Sequence, residues 1–200
     1  MVSVAGVLLA AGAGRRMGLP KSLVRDRDGR AWLSRSVDVL SAGGCDRIVV
    51  VLGAGADEAT SLLAEASTTP SRIDTVLAAD WTEGMGASLR AGLRAIAETE
   101  TEGAAEAVLV HLVDLPDVGA DVIRRVLAGA PAGPGTLARA SYDGSPGHPV
   151  LLGRDHWMPV AEAAQGDRGA RDYLASRAVW LIECGDLATG RDIDRPDPER

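Results

Sequence analysis

The chain has no phenylalanine, four tryptophans, two tyrosines and two cysteines, and no apolar run long enough to span a bilayer. Each shortage closes a class of function. Aromatics at 3% are too few to build the stacking platforms on which proteins hold single-stranded nucleic acid. Cys45 and Cys184 lie far apart and belong to no CxxC or histidine-rich cluster, so buried free thiols are expected rather than a disulfide or zinc site. A membrane helix needs roughly 18 or more consecutive apolar residues, whereas the runs here stop at strand length. Basic charge is also short: 21 lysines and arginines against 28 aspartates and glutamates leave a net charge of −7. Such a chain repels a duplex and is not expected to bind nucleic acid along an extended face. The first apolar run passes straight into glycines and arginines rather than into a small-residue cleavage site, so no leader is read and a cytoplasmic location is expected.

At 200 residues the length suits one well-buried domain, expected to span residues 1–200. Strand-like and helix-like segments alternate along it. VSVAGVLLA, RIVVVLG, RIDTVLA and AVLVHLV read as strands, and between them WLSRSVDVLSAGG, ADEATSLLAEA and GASLRAGLRAIAETE carry apolar positions at helical spacing. A helix is expected around DVIRRVLAGA, a further strand at TLARASY, and a loop leading into a short strand at DGSPGHPVLL. Two helical pieces broken near QGDRG, a last strand at AVWLIEC and a polar tail, GRDIDRPDPER, complete the reading. Nearly continuous apolar strands separated by helices predict an α/β fold, a three-layer α/β/α sandwich on a Rossmann-like, mostly parallel sheet.

The stretch LLAAGAGRRMGLPKS, from Leu8 to Ser22, is a glycine-rich turn leaving the first strand. It is not the dinucleotide fingerprint GxGxxG, because Met17 stands where the third glycine belongs. Nor is it the P-loop GxxxxGK[ST], because Leu19 and Pro20 separate Gly18 from Lys21. What remains is a backbone rich in exposed N–H groups, with Arg15, Arg16 and Lys21 beside it in an otherwise acidic chain. That combination suits a polyphosphate; the alternative is an ordinary strand-to-helix turn with solvated basic residues.

Asp114 follows the strand AVLVHLV, which puts a carboxylate at the carboxyl edge of the sheet, where ligands of open α/β sheets bind. It would serve equally as a cap for the next helix. In the extended DID segment, alternation points Asp192 and Asp194 to one face. With Asp114 they would make an oxygen-rich site suited to magnesium, or else a solvated acidic tail. Met85, Gly86, Ala87 and Ser88 open a helix whose N-terminus can face a base or phosphate, or simply carry a cap. His148 sits in a motif-like loop, as a phosphate ligand, an acid or base, or a loop fastener. His111 is expected in the core and His156 on the surface. Asp167, Arg168 and Arg171, in GDRGAR, shape an acceptor pocket or cap a helix.

These motifs carry a resemblance. LLAAGAGRRMGLPKSL is similar to the signature LAAGxSxRMGxPK of the molybdenum-cofactor cytidylyltransferases within the MobA/MocA-like NTP transferases, and GMGASLRAGL, VDLPDV, GHPVLL, GDRGAR and DIDRPD follow in that family's order. The resemblance spans nearly the whole chain. It implies a nucleotide-diphospho-sugar transferase-like fold and transfer of CMP from CTP to the phosphate of a molybdopterin acceptor, with Mg2+ and release of pyrophosphate. It implies Arg16, Lys21 and Asp114 as catalytic residues; Leu9, Ala10, Ala11, Gly12, Ala13, Gly14, Arg15, Arg16, Lys21, Gly86 and Ser88 as nucleotide-binding; His148, Asp167 and Arg171 toward the acceptor; and Asp114, Asp192 and Asp194 as metal ligands. A molybdoenzyme client is an implied partner. Two rivals stand beside it: an NAD(P)H-dependent oxidoreductase of the nicotine blue type, and a non-catalytic carrier of the molybdenum cofactor. Gly14 departs from the family, which frequently has serine there.

Overall fold

The computed structural model describes residues 3–66, 70–99 and 105–195. In chain order, β1 (Val4–Leu9), α1 (Trp32–Gly43), β2 (Arg47–Leu52), α2 (Ala56–Ala66), β3 (Arg72–Leu77), α3 (Met85–Thr99) and β4 (Ala107–Leu112) form the alternating half. Then come α4 (Ala120–Gly129), β5 (Leu137–Tyr142), β6 (Ser145–Gly153), α5 (Trp157–Ala163), α6 (Arg171–Ala175) and β7 (Trp180–Glu183). The strands make one seven-stranded sheet in the order β3-β2-β1-β4-β6-β5-β7. Only β6 runs against its neighbours; the other pairings are parallel. This is the mostly parallel α/β architecture that the strand composition predicts.

The apolar runs are continuous because both faces of the central strands are covered. Every residue of β1 is buried. On one face Leu8, Ile48, Val50 and Leu109 meet Leu33, Val37 and Leu40 of α1 and Val122, Ile123 and Val126 of α4. On the other, Val7, Val49, Val51 and Val108 meet Leu93 and Ile96 of α3 and Trp157 and Val160 of α5. Cys45 and Cys184 are free and buried, in the first of these cores. No described helix is long and apolar enough to cross a membrane.

Two expectations need correction. DGSPGHPVLL is not a loop before a short strand: only Asp143 and Gly144 turn, with φ 51° and 76°, and β6 begins at once at Ser145. Asp-Gly with both residues at positive φ is the favoured two-residue hairpin turn, because its twist matches that of the flanking strands. The Glu183 carboxylate fastens this turn, accepting from the N–H groups of Asp143 (2.9 Å) and Gly144 (3.2 Å) and from the Ser141 hydroxyl (2.8 Å). His156 is not a free surface residue: it is half-buried, its Nδ1 hydrogen-bonded with Tyr173 and its Nε2 with the Gly135 carbonyl.

After β1 the chain builds outward to β2 and β3, then crosses back to lay β4 on the other side of β1. The strand order therefore reverses between β1 and β4. A crevice opens there, outside their carboxyl ends, between the loop after Leu9 and the turn after Leu112.

Candidate active site

The loop leaving β1 first extends the sheet, Ala10 N–H donating to Val51 O, and then parts from it. The backbone N–H groups from Ala11 to Arg16 meet no acceptor among the described residues. A run of free donors beside basic side chains is an anion cradle. The loop closes through the Met17 and Gly18 N–H groups, which donate to the Gly14 carbonyl. Gly14 has φ 57°, and a Cβ there would stand 2.0 Å from the Leu19 carbonyl oxygen. A serine could not occupy this loop as it is built, which is the physical content of the departure at position 14.

A 3-10 turn at Lys21–Leu23 then aims the Lys21 ammonium into the crevice. Lys21 Nζ lies 2.5 Å from Asp114 Oδ2 and 2.6 Å from Asp194 Oδ1, and Arg16 reaches Asp194 Oδ2 at 3.0 Å. Burial works to lower the Lys21 pKa, but the Asp114 charge and hydrogen bonds to both carboxylates outweigh it, holding the ammonium above its ordinary value. The same hydrogen bond and charge of Lys21 hold Asp194 below the usual carboxylate range.

The acidic tail reaches this place because it is stitched to the turn after β4. Thr189 donates through both N–H (2.7 Å) and hydroxyl (2.5 Å) to Asp117, and Ile193 N–H donates to the Asp114 carbonyl at 3.0 Å. Gly190, at φ 63°, packs against the Tyr142 ring, where a Cβ would fall 2.1 Å from a ring carbon. Ile193 packs against the core, so its neighbours Asp192 and Asp194 are turned away from it. One carboxylate oxygen from each of Asp114, Asp192 and Asp194 lies within 4.8 Å of the others. Hard oxygen donors at this spacing fit a divalent cation of magnesium type after a small inward movement, since magnesium binds carboxylates at roughly 2.0–2.1 Å. The Lys21 ammonium spans two of the three and stands in for that positive charge. The last residues of DIDRPD lie outside the described residues.

The loop and Asp114 border a cleft of about 390 Å³ lined by Leu9, Ala11 to Arg15, Lys21, Trp81, Thr82, Gly84, Met85, Ser88, Leu112, Val113, Asp114 and Asp167, with Asp192 and Asp194 outside this lining. Of the residues singled out in the sequence, Leu9, Ala11, Gly12, Ala13, Gly14, Arg15, Lys21, Ser88, Asp114 and Asp167 meet at this cleft. Ala10 is buried behind it. Gly86 is turned toward the backbone of Ala164 and Gln165, where it permits close packing of α3. Arg16 reaches Asp194. His148 and Arg171 lie outside the cleft lining, on neighbouring elements. Sequence reasoning missed Arg139. It sits on β5 in the midst of Leu137, Ala138 and Ala140, and its only signal was a lone charge in an otherwise apolar run. Asp117, the anchor of the tail, was missed too, because nothing local marks a partner 72 residues away.

The family model described as MobA-like NTP transferase domain matches residues 6–180. The nicotine blue oxidoreductase of Paenarthrobacter nicotinovorans is 39% identical over 201 residues, covering 96% of this chain and 92% of that protein. Among solved structures, a homologue from Mycobacterium sp. strain JC1 of the Mycobacterium tuberculosis protein Rv0371c is 28% identical. It superposes with a TM-score of 0.71, covering 96% of this chain and 90% of its own. A nucleotidyl transferase from Methanothermobacter shares the fold, at 21% identity and a TM-score of 0.72 over 96% of this chain and 92% of its own.

Proposed function

The chain belongs to the MobA-like NTP transferase family, and on that premise we propose that it is a divalent-metal-dependent nucleotidyltransferase that transfers CMP from CTP to the terminal phosphate of a pterin acceptor. The observation that carries the reading is the facing of two parts. Free N–H donors from Ala11 to Arg16 and the Lys21 and Arg16 cations lie opposite the carboxylates of Asp114, Asp192 and Asp194. A cradle of donors alone suits many phosphates; a cradle facing carboxylates that fit a metal suits cleavage of one.

In the reaction an acceptor phosphate oxygen forms a bond to the α-phosphorus while the bond to the bridging oxygen of the β-phosphate breaks, and pyrophosphate leaves with the electron pair. No covalent enzyme intermediate is needed, and positioning with charge neutralisation does the work. Asp114 and Asp194, with Asp192 beside them, would hold the metal, which when bound would supply Lewis-acid stabilisation of the reacting phosphate. The N–H groups of residues 11–16 cradle the triphosphate. With the carboxylates engaged elsewhere, Lys21 would turn to phosphate oxygens and, with Arg16, would meet the charge gathering on the leaving pyrophosphate. Ser88, Met85 and Trp81 border the space left for the base. Support for cytosine and for a pterin phosphate comes from resemblance alone: the LAAG form of the loop is similar to that of the cytidylyltransferase branch, whose acceptor is the molybdenum cofactor.

A second reading is favoured by one finding, the 39% identity to a protein named nicotine blue oxidoreductase. On that reading the same cleft holds a nicotinamide nucleotide and delivers hydride to a quinoid acceptor without metal. Pyrophosphate release measured with CTP, GTP, ATP and UTP, each with magnesium and molybdopterin, tests the first reading, and NADH or NADPH oxidation with a quinoid dye tests the second. Release with CTP above the other nucleotides is expected. Pyridine nucleotide oxidation without any pyrophosphate release would replace the transferase assignment.

A further inference from the structure

Part of the cleft lining comes from two pieces of chain that lie far apart in sequence. One is the 3-10 turn Trp81–Glu83, after β3, which with Gly84 brings Trp81 and Thr82 to the lining; the other is the loop after α5, which brings Asp167. The turn closes on itself, Trp81 N–H donating to the Ala78 carbonyl, Glu83 to Asp80 and Gly84 to Trp81, so it shifts as a unit. Trp81 stands against Gly53, where a Cβ would fall 2.7 Å from the indole Cγ and 2.6 Å from the carbonyl oxygen of Ala11, the residue at which the free N–H run begins. The two pieces meet at Gly84, where at φ 114° a Cβ would overlap Asp167 Oδ1 and fall 2.8 Å from the Gly166 carbonyl oxygen.

One side chain holds both pieces. Arg90, in the second turn of α3, donates through Nη1 to the Ala164 carbonyl at 2.9 Å, just past α5, and through Nη2 to Asp80 (3.0 Å) and Glu83 (2.9 Å), at the two ends of the tryptophan turn. It is not itself part of the cleft lining. As a stability device the arrangement is weak: the two carboxylate side chains are 52% and 60% exposed, and exposed ion pairs contribute little. Its geometry has another consequence. Asp80 and Glu83 are like charges on one tight turn, so without the guanidinium they repel each other, and turn and loop lose their common anchor. A planar guanidinium serves both pieces at a fixed spacing, which a single ammonium point charge cannot do.

We propose that Arg90 is a positioning residue of the nucleotide site, which ties the Trp81 turn to the loop of Asp167 and thereby sets the width of the slot that takes the nucleoside. The inference rests on the transferase reading for the occupant, a nucleoside triphosphate. Arg90 acts on binding through Trp81 and leaves the chemical step alone.

The test uses the full chain, with CTP and magnesium titrated by calorimetry in the absence of acceptor and steady-state rates measured in its presence. Arg90→Gln should weaken CTP binding and raise its KM by about tenfold while kcat stays within about twofold, the pattern of lost ground-state placement. Arg90→Lys, which reaches one piece but not both, should fall between. Asp80→Ala combined with Glu83→Ala keeps the bond to Ala164 and frees only the tryptophan turn; it should weaken CTP binding several-fold at an unchanged melting temperature, and it decides the question should Arg90→Gln fail to fold. Wild-type CTP affinity in Arg90→Gln or in the double variant, or a fall in kcat with KM unchanged, would overturn the inference. Failure of the transferase reading shows itself separately, as a wild-type chain that neither binds CTP nor releases pyrophosphate; the same variants titrated with NADH or NADPH then decide whether Arg90 sets the slot.

Discussion

Two groups of cations, one beside the loop after β1 and one on β5 and α6, differ in what meets them. On the β1 side Lys21 and Arg16 are matched by Asp114 and Asp194, at 2.5 to 3.0 Å. On the β5–β6 side Arg139 and Arg171 have no carboxylate partner among the described residues, and His148 is depressed to about 3 by its burial and then by the Arg139 charge. The first cluster is internally neutralised, and on the proposed function its lysine would yield the carboxylates to a metal. The second has no such match: Arg139 is half-buried and Arg171 is exposed. The difference separates cations already neutralised by neighbouring carboxylates from cations that are not.

Breaking the neutralised side should have the largest effect. Asp114→Ala removes a proposed metal ligand and a partner of Lys21; pyrophosphate release is expected to fall by about a thousandfold, roughly 4 kcal/mol, with far-UV circular dichroism unchanged. Undiminished release would remove Asp114 from the chemistry. Lys21→Ala should cost about 2 to 4 kcal/mol in kcat/KM, by analogy with the loss of one oxyanion-stabilising donor; an unaltered kcat/KM would leave the carboxylates without their working cation. Gly190→Val sharpens the comparison without touching either cluster. The added side chain meets the Tyr142 ring, lifts the tail and carries Asp192 and Asp194 off Asp114, so the magnesium concentration for half-maximal rate should rise by about tenfold. The same metal dependence as the wild type would mean that the tail does not supply ligands.

The smallest effect is on stability and pH. Glu183, which fastens the hairpin carrying Arg139 and His148, is lowered to about 2 by its hydrogen bonds from Ser141 and from the Gly185, Gly144 and Asp143 N–H groups. A depressed folded-state pKa stabilises the fold above the unfolded value of 4.5, and that stability drains away as pH falls from there toward about 2. Melting temperatures of the wild type and Glu183→Gln should differ at pH 6 and converge across that window. A difference that persists at pH 2 would assign the loss to packing instead of charge.

Much of the frame was legible because β1, β2 and β4 are buried on both faces, which forces near-continuous apolar runs that sequence shows directly. The glycine loop and Asp114 were legible for a related reason: each lies immediately past such a run, so the sheet's edge locates them. The tail was only half legible. Alternation in Asp192–Ile193–Asp194 was readable, but its engagement depends on Asp117, Asp114 and Tyr142, which no local pattern ties to it. Arg139 was illegible because a single arginine in a strand reads the same whether it faces water or another cation; only the pairing with β6 and the approach of α6 separate the two.

The central claim is that the carboxylate-matched cluster cleaves a nucleoside triphosphate toward a phosphorylated acceptor. Phosphorus NMR of one reaction mixture, holding the full chain, CTP, magnesium and molybdopterin, tests it most directly. The account expects pyrophosphate and a new phosphoanhydride signal to appear in equal amounts, both abolished by Asp114→Ala. CTP left intact in that mixture, while the same preparation oxidises NADH or NADPH with a quinoid acceptor, would contradict it.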